Sequence, residues 1–575
     1  MGAIFTTLAL AIFGFGGGEG VTPEWDLSSW LKGGDQILEV ALESFGRVRA
    51  DADEHDQRII TLDDLGRVRA NLLHRKDGQR IVEALNIPFA QPPVGVLRFR
   101  KPRLPLAWHG VRDATKYGPG CIQINATYPT DEDCLQLNIW APAGGVTEAG
   151  TPLPVLVWAF GGGLTSGSGR TFNGTRLAAL GQMVVVSINY RLGVLGLYAS
   201  HELVEEEKST GGLNSAHDIL HALRFVHTHV RSFGGDPSRV ALGGESSGSV
   251  SSCLLAFTPH AKGLFHRLFL ESGACTGPWM GVNPSAAASF AASAAFAADV
   301  GCGNAANRTH ARLVCLRGLP AQTLVSSSKW DSLNFGLDGD LLTQAPVNST
   351  LHYNGPLLIG GNSEDTTCFQ STDPPTPTTL DELRESLAGY FEDDAEDVLA
   401  PYLPRDPAAR DLNAGALWLN MSRDAGVSCP TLQLARRFVA QASPVYVYSF
   451  EFNATRPGAG VLHGDEVDLV WQRPPPNSVA AAHDVARHVG EYWSSFVAHG
   501  APRTMPSDTW PLWPAFNSTT SGTPARPDDR YLAFVAAGHA ASSERFYAAK
   551  CEAWEAYRAR GPLQRQRYIA FGYLC

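Results

Sequence analysis

Lysine and arginine never gather here into the dense runs that neutralise phosphates. The 575 residues carry a formal net charge of -11, with both signs spread along the chain, so nucleic acid is not an expected partner. Past the N-terminus no run of 18 or more apolar residues occurs, and the segment after Gly561 holds Arg and Gln where a hydrophobic anchor tail would stand. No transmembrane segment is expected. No Gly-Lys-Ser/Thr follows the three glycines Gly161 to Gly163, which argues against a phosphate loop. His217, His221 and His227 fall on a predicted helix without the Glu that a metallohydrolase needs, and no other cluster has metal-ligand spacing. Neither a metal nor an organic cofactor is expected.

What is present points to export. Ile4 to Phe15 is apolar, too short to span a bilayer, and is followed by Gly16 to Gly18. Residues 1–18 read as a signal peptide, although no Lys or Arg precedes the apolar part. Sequons at Asn125, Asn173, Asn307, Asn348, Asn420, Asn453 and Asn517 agree with a secretory route. So do ten cysteines, some closely spaced, as expected of disulfide-closed loops in an oxidising compartment. Residues 19–58 form an extension without an assigned role. The repeat of Gly-Arg-Val-Arg-Ala at Gly46 and Gly66 has no solenoid period behind it. One catalytic domain is expected over 59–575.

Within it, apolar β-branched runs at Val155–Phe160, Met183–Tyr190, Arg239–Gly243, Leu264–Glu271, Pro356–Gly360 and Pro444–Phe452 alternate with helical patterns. The helices are predicted at His217–Val230, Ser247–Phe257, Leu380–Ala388, Ala480–His499 and Glu544–Arg560. Buried strands joined by crossover helices imply an α/β fold with a large, mostly parallel central sheet.

Gly244, Ser246 and Gly248 make a G-x-S-x-G, weak evidence alone in a chain with 58 glycines. Its setting strengthens it. A β-run ends at Gly243 and an apolar helix begins at Ser247, the strand-turn-helix that exposes a nucleophilic serine on a tight elbow. Such a serine needs a base, and His463, in a loop after a predicted strand, is the best candidate among 17 histidines. Upstream, the strand beginning at Val155 runs into Gly161-Gly-Gly163. The amides of Gly162, Gly163 and Ser247 are placed to stabilise an oxyanion.

Together these elements resemble the type-B carboxylesterase/cholinesterase family of α/β-hydrolases over nearly the whole chain from about Ile59. Further matching segments are Ile87-Pro-Phe-Ala-Gln-Pro-Pro-Val-Gly95, Leu97-Arg-Phe99, Asp131 to Trp140, Asn189-Tyr-Arg-Leu-Gly193, Phe233-Gly-Gly-Asp-Pro237 and Trp493-Ser-Ser-Phe496. The resemblance implies a Ser–acid–His triad, with the acid after Pro356–Gly360. Counting back from Phe369 selects Asp365, with Glu364 as fallback if the loop shifts by one residue. It also implies disulfides Cys121–Cys134, Cys302–Cys315 and Cys429–Cys551, and a structural ion pair of Arg98 with Glu132. Cys253 and Cys575 remain unassigned, a free Cys253 reading as core packing. Cys275 and Cys368, each after a sheet strand, are the guess for a fourth pair.

The implied activity is hydrolysis of carboxylic esters, on a small-molecule or lipid substrate, through an acyl-enzyme. The loop from Cys121 to Cys134 lacks the Trp with which cholinesterase-like members hold a quaternary ammonium, so a dedicated choline esterase is disfavoured. A lipase acting on long acyl chains and a non-catalytic adhesion protein are the competing readings.

Overall fold

The computed structural model describes residues 52–554, except 146–149, 278–281, 284, 304–310, 328–332, 367–375, 404–411, 457–458, 504–509, 517–530, 536–538, 544–549 and 552–553. The expected signal stretch, almost all of the extension 19–58, Asn307, Asn517, Cys368, Cys575 and nearly all of the predicted helix Glu544–Arg560 lie outside the described residues.

The apolar runs become the centre of a sheet. Strands β1 (Ala52–Leu62), β2 (Gly66–Arg75), β3 (Arg80–Pro88), β4 (Gln136–Pro142), β5 (Leu153–Ala159) and β6 (Val184–Ile188) are followed by β7 (Gly235–Glu245), β8 (Arg267–Glu271), β9 (Leu357–Asn362), β10 (Val445–Phe450), β11 (Tyr531–Val535) and β12 (His539–Ser543). Their order is β1-β2-β3-β4-β6-β5-β7-β8-β9-β10-β11-β12, with the short strand Val111–Asp113 beside β2. From β6 to β11 every neighbour runs parallel. Every residue of β5, β6 and β9 is buried, which is why these strands read as continuous apolar runs rather than alternating ones. Antiparallel pairing of β2 with β3, β3 with β4, β4 with β6 and β11 with β12 completes the sheet.

Helices α1 (Thr175–Gly181), α2 (Asn214–His229), α3 (Ser247–Leu254) and α4 (Ala481–His499) flank it. α1 packs on α4 and α2 on α3, each pair reaching the sheet. β1 begins at Ala52, ahead of the expected boundary at residue 59, and α3 gives way to a 3-10 turn at Leu255–Phe257.

Disulfides link Cys121 to Cys134, Cys302 to Cys315 and Cys429 to Cys551. The guess that Cys275 pairs with Cys368, leaving Cys253 free, is corrected. Cys253 bonds Cys275, with Cα atoms 5.7 Å apart. The reason lies in topology: Cys253 is on the helix after β7, Cys275 is in the turn after β8, and parallel neighbours place the segments that follow them side by side. Arg98 and Glu132 form a bidentate pair at 2.5 and 2.7 Å, while Arg98 Nη1 also donates to the carbonyls of Leu316 and Leu319.

Candidate active site

Segments after four strands, β5, β7, β9 and β10, build the site. At the end of β7 the chain turns at Ser246 with φ 54° and ψ -125°, a conformation a non-glycine residue adopts only under constraint. The flanking glycines are required by contact. A Cβ on Gly244 would stand 2.5 Å from Ala159 O, and one on Gly248 would collide with the carbonyls of Ala159 and Phe160. The elbow is tied down by Ser246 N–H donating to Glu271 O at 2.9 Å. Ser247 is the first residue of α3, so its amide has no carbonyl within the helix to bond. Gly162 (φ 117°) and Gly163 (φ 63°) follow β5 in backbone conformations that favour glycine, and a Cβ on neighbouring Gly161 would lie 2.9 Å from Ser246 Cβ. The glycine run therefore borders the elbow.

His463 follows β10, its side chain 7% exposed. Its Nδ1 bonds Asp365 Oδ1 at 2.7 Å. Asp365 is fully buried, and its Oδ2 accepts from Asn362 N (2.7 Å) and Ser272 Oγ (2.9 Å). Glu364 is directed elsewhere: its amide bonds Val461 O, and a Cβ on Gly460 would collide with its carboxyl. Of the two acids left open by the sequence, Asp365 is the one on the ring. His463 Nε2 lies 3.1 Å from Oε1 of Glu245, the residue immediately before Ser246.

Asp365 apart, the sequence reading missed the acids around this ring. Glu245, Glu271, Glu466 and Asp365 are all buried within it or beneath it. Asn362 Nδ2 donates to Glu466 Oε2 at 2.5 Å, and Trp493 Nε1 donates to Glu271 Oε1 at 2.6 Å. Burial alone pushes the His463 pKa down, but Glu245, Asp365 and Glu466 outweigh it and hold the ring at about 9. Burial raises Glu245 to about 7, with Asp365 adding to the rise and His463 opposing it. Burial, then Glu245 and Asp365, lift Glu466 to about 8. Burial and Glu466 keep Glu271 well above the usual carboxylate range. One imidazolium cannot neutralise this many carboxyls out of water, so the cluster holds protons at neutral pH. A signal was available: Glu245 lies inside the G-x-S-x-G and Glu466 three residues past His463, but a buried acid and a solvated one are the same letter.

The chain also gathers His217, Asp338 and Asp340, whose ligand atoms lie within 4.8 Å of one another, although sequence spacing gave no such cluster. Asp338 is 121 residues from His217 in the chain. Protein donors already fill this group: Asp338 accepts from His217 Nε2 (2.8 Å), Ser209 Oγ (3.2 Å) and Leu342 N (2.9 Å), and Asp340 pairs with Lys101 at 2.8 Å. Among the sequons, Asn125 and Asn348 are exposed and Asn173 and Asn420 partly so. Asn453 is 3% exposed, with Nδ2 donating to Gly460 O and Oδ1 accepting from the amides of Thr455 and Arg456.

Comparison with known proteins agrees with this architecture. A model of the carboxylesterase family matches residues 56–526. A fumonisin B1 esterase from Sphingopyxis macrogoltabida is 32% identical over 454 residues, 74% of this chain and 80% of that protein. With the strand order, the serine elbow and the match across most of its length, the chain is a carboxylic ester hydrolase and belongs to the carboxylesterase family.

Proposed function

We propose that the protein cleaves carboxylic esters through an acyl-enzyme on Ser246. His463 Nε2 takes the proton as Ser246 Oγ attacks the carbonyl. The tetrahedral oxyanion is held by the amides of Gly162, Gly163 and Ser247, the alcohol leaves with the proton from His463, and water activated by the same ring releases the acid. The observation that carries this reading is the 2.7 Å bond from His463 Nδ1 to a carboxylate fixed by two further donors, on a ring whose other nitrogen faces the residue next to Ser246. In this reading Nδ1 carries the proton shared with Asp365, and Nε2 acts as base once the ring is neutral. Asp365 orients the ring and stabilises the imidazolium.

Residues from about 52 onward form the catalytic domain in this account, behind a cleaved signal peptide and an N-terminal extension. Four disulfides among the described residues are compatible with secretion, and no described helix is long and apolar enough to cross a membrane. A panel of p-nitrophenyl esters of increasing acyl length tests the activity. Short-chain esters are expected to turn over, with Ser246→Ala reduced to background. A preference confined to long chains would make the protein a lipase, and the absence of turnover on every ester would favour the adhesion reading. Fumonisin B1, named for the relative's activity, belongs on the panel.

A further inference from the structure

From Gly161 the chain doubles back over the elbow before it enters α1. A Cβ on Gly167 would stand 2.7 Å from Gly161 O, while Gly161 itself abuts Ser246. Gly167 N–H donates to Gln123 Oε1 at 2.9 Å, which fastens this loop to the one closed by Cys121 and Cys134. Three residues on, Arg170 sets its guanidinium over two rings, 5.7 Å from the centroid of Tyr117 and 5.0 Å from that of Tyr128. Three residues span at most about 10 Å, so the backbone of Arg170 lies within that distance of Gly167, which itself packs on Gly161 beside the elbow.

Arg170 has no acid partner among the described residues, whereas several other partly or fully buried arginines do. Arg98 pairs with Glu132, Arg191 with Asp218, Arg423 with Asp424 and Arg473 with Asp468. Among the described residues no carboxylate lies within ion-pair distance of Arg170, and its side chain makes one long bond, Nη1 to Gly118 O at 3.4 Å. The residue is half-buried and remains reachable from solvent. A guanidinium stays charged at every working pH, and stacking consumes its faces but leaves its N–H edge free, the edge that meets a carboxylate bidentately.

We propose that Arg170 is a specificity-determining residue that binds a carboxylate on the substrate, so the preferred substrates are esters carrying a free carboxylate a few carbons from the scissile bond. This rests on the serine-esterase reading above and names its substrate class. Tyr117 and Tyr128 hold the guanidinium in place, and the attraction acts on substrate binding before chemistry begins.

The test compares monoethyl glutarate, with the carboxylate on the acyl side, 4-acetoxybutyrate, with it on the alcohol side, and the neutral esters ethyl pentanoate and butyl acetate, by pH-stat titration. The wild type is expected to favour one carboxylated ester over its neutral counterpart by about tenfold or more in kcat/KM, mainly through KM, and to lose that preference in high salt. Arg170→Gln should abolish the preference while leaving neutral esters within about twofold; Arg170→Lys should retain part of it. Which carboxylated ester responds tells which side of the bond the subsite serves. Equal effects of Arg170→Gln on charged and neutral esters, or no wild-type preference for either charged ester, would overturn the proposal while leaving the esterase reading intact. If no ester turned over, the esterase reading would fail. Calorimetric binding of glutarate to the wild type but not to Arg170→Gln, both showing the same melting temperature, would still uphold the subsite, and equal binding would refute it.

Discussion

At the scale of single residues, the site is a charged imidazole enclosed by acids, and this has consequences for pH. His463 acts as a base only when neutral, yet Glu245 and Asp365 favour its protonated form. Activity should therefore climb through the alkaline side of neutrality as the ring loses its proton near pH 9. Glu245→Gln removes a carboxylate 3.1 Å from Nε2, so the rising limb of kcat/KM should move to lower pH, read directly from a pH–rate profile. An unchanged limb would mean that Glu245 does not feel the ring's charge. Asp365→Asn should lower kcat by roughly 10³–10⁴, as expected when the ring loses its tautomer and orientation, whereas Glu364→Gln should cost less than about tenfold because its carboxyl sits against Gly460. Ser246 and His463 were legible because motif and loop context mark them. Asp365 needed counting within a loop, and Glu271, Ser272 and Glu466 could not be read, since burial alone turns ordinary polar letters into a proton-holding cluster.

At the scale of elements, the elbow works because β7, α3 and the turn after β8 are locked together. The Cys253–Cys275 bond closes a 22-residue separation between α3 and that turn. Replacing both cysteines by Ala should lower unfolding free energy by about 2–4 kcal/mol, measured by denaturant titration, if the cross-link stabilises as loops of this size usually do. Gly248→Ala should be worse for activity than for folding, because its Cβ would strike the Ala159 and Phe160 carbonyls that shape the oxyanion side. The parallel strands were readable because full burial writes an uninterrupted apolar run. β2 was not: Arg67 and Arg69 alternate with buried Val68 and Ala70 on a strand with one wet face, so no such run forms. The fourth disulfide escaped for a related reason, since pairing depends on which strands are neighbours and the sequence does not state the order.

At the scale of the whole molecule, the buried acids make stability depend on pH in an uncommon direction. Glu466 binds its proton up to about pH 8 when folded, against about 4.3 for an unfolded glutamate. Between those values the folded state holds more protons, so stability falls as pH rises, and Glu245, raised to about 7, adds to the trend. The acids held below their usual range, such as Asp77 and Asp236, have finished titrating beneath this window. His221, His229, His266 and His499 are held below the usual histidine range and oppose this trend up to about pH 6.5. Melting temperature should thus drop between about pH 7 and 9, and Glu271→Gln, which keeps an acceptor for Trp493 but cannot ionise, should flatten the slope. A melting temperature that rose over this range would place the negative charges in solvent. Everything in the mechanism depends on Ser246 being the atom that is acylated. The most direct measurement is peptide mapping after reaction with a fluorophosphonate. The adduct should appear on the peptide containing Ser246 and vanish in Ser246→Ala; an adduct on another residue, or equal labelling of the two proteins, would contradict the account.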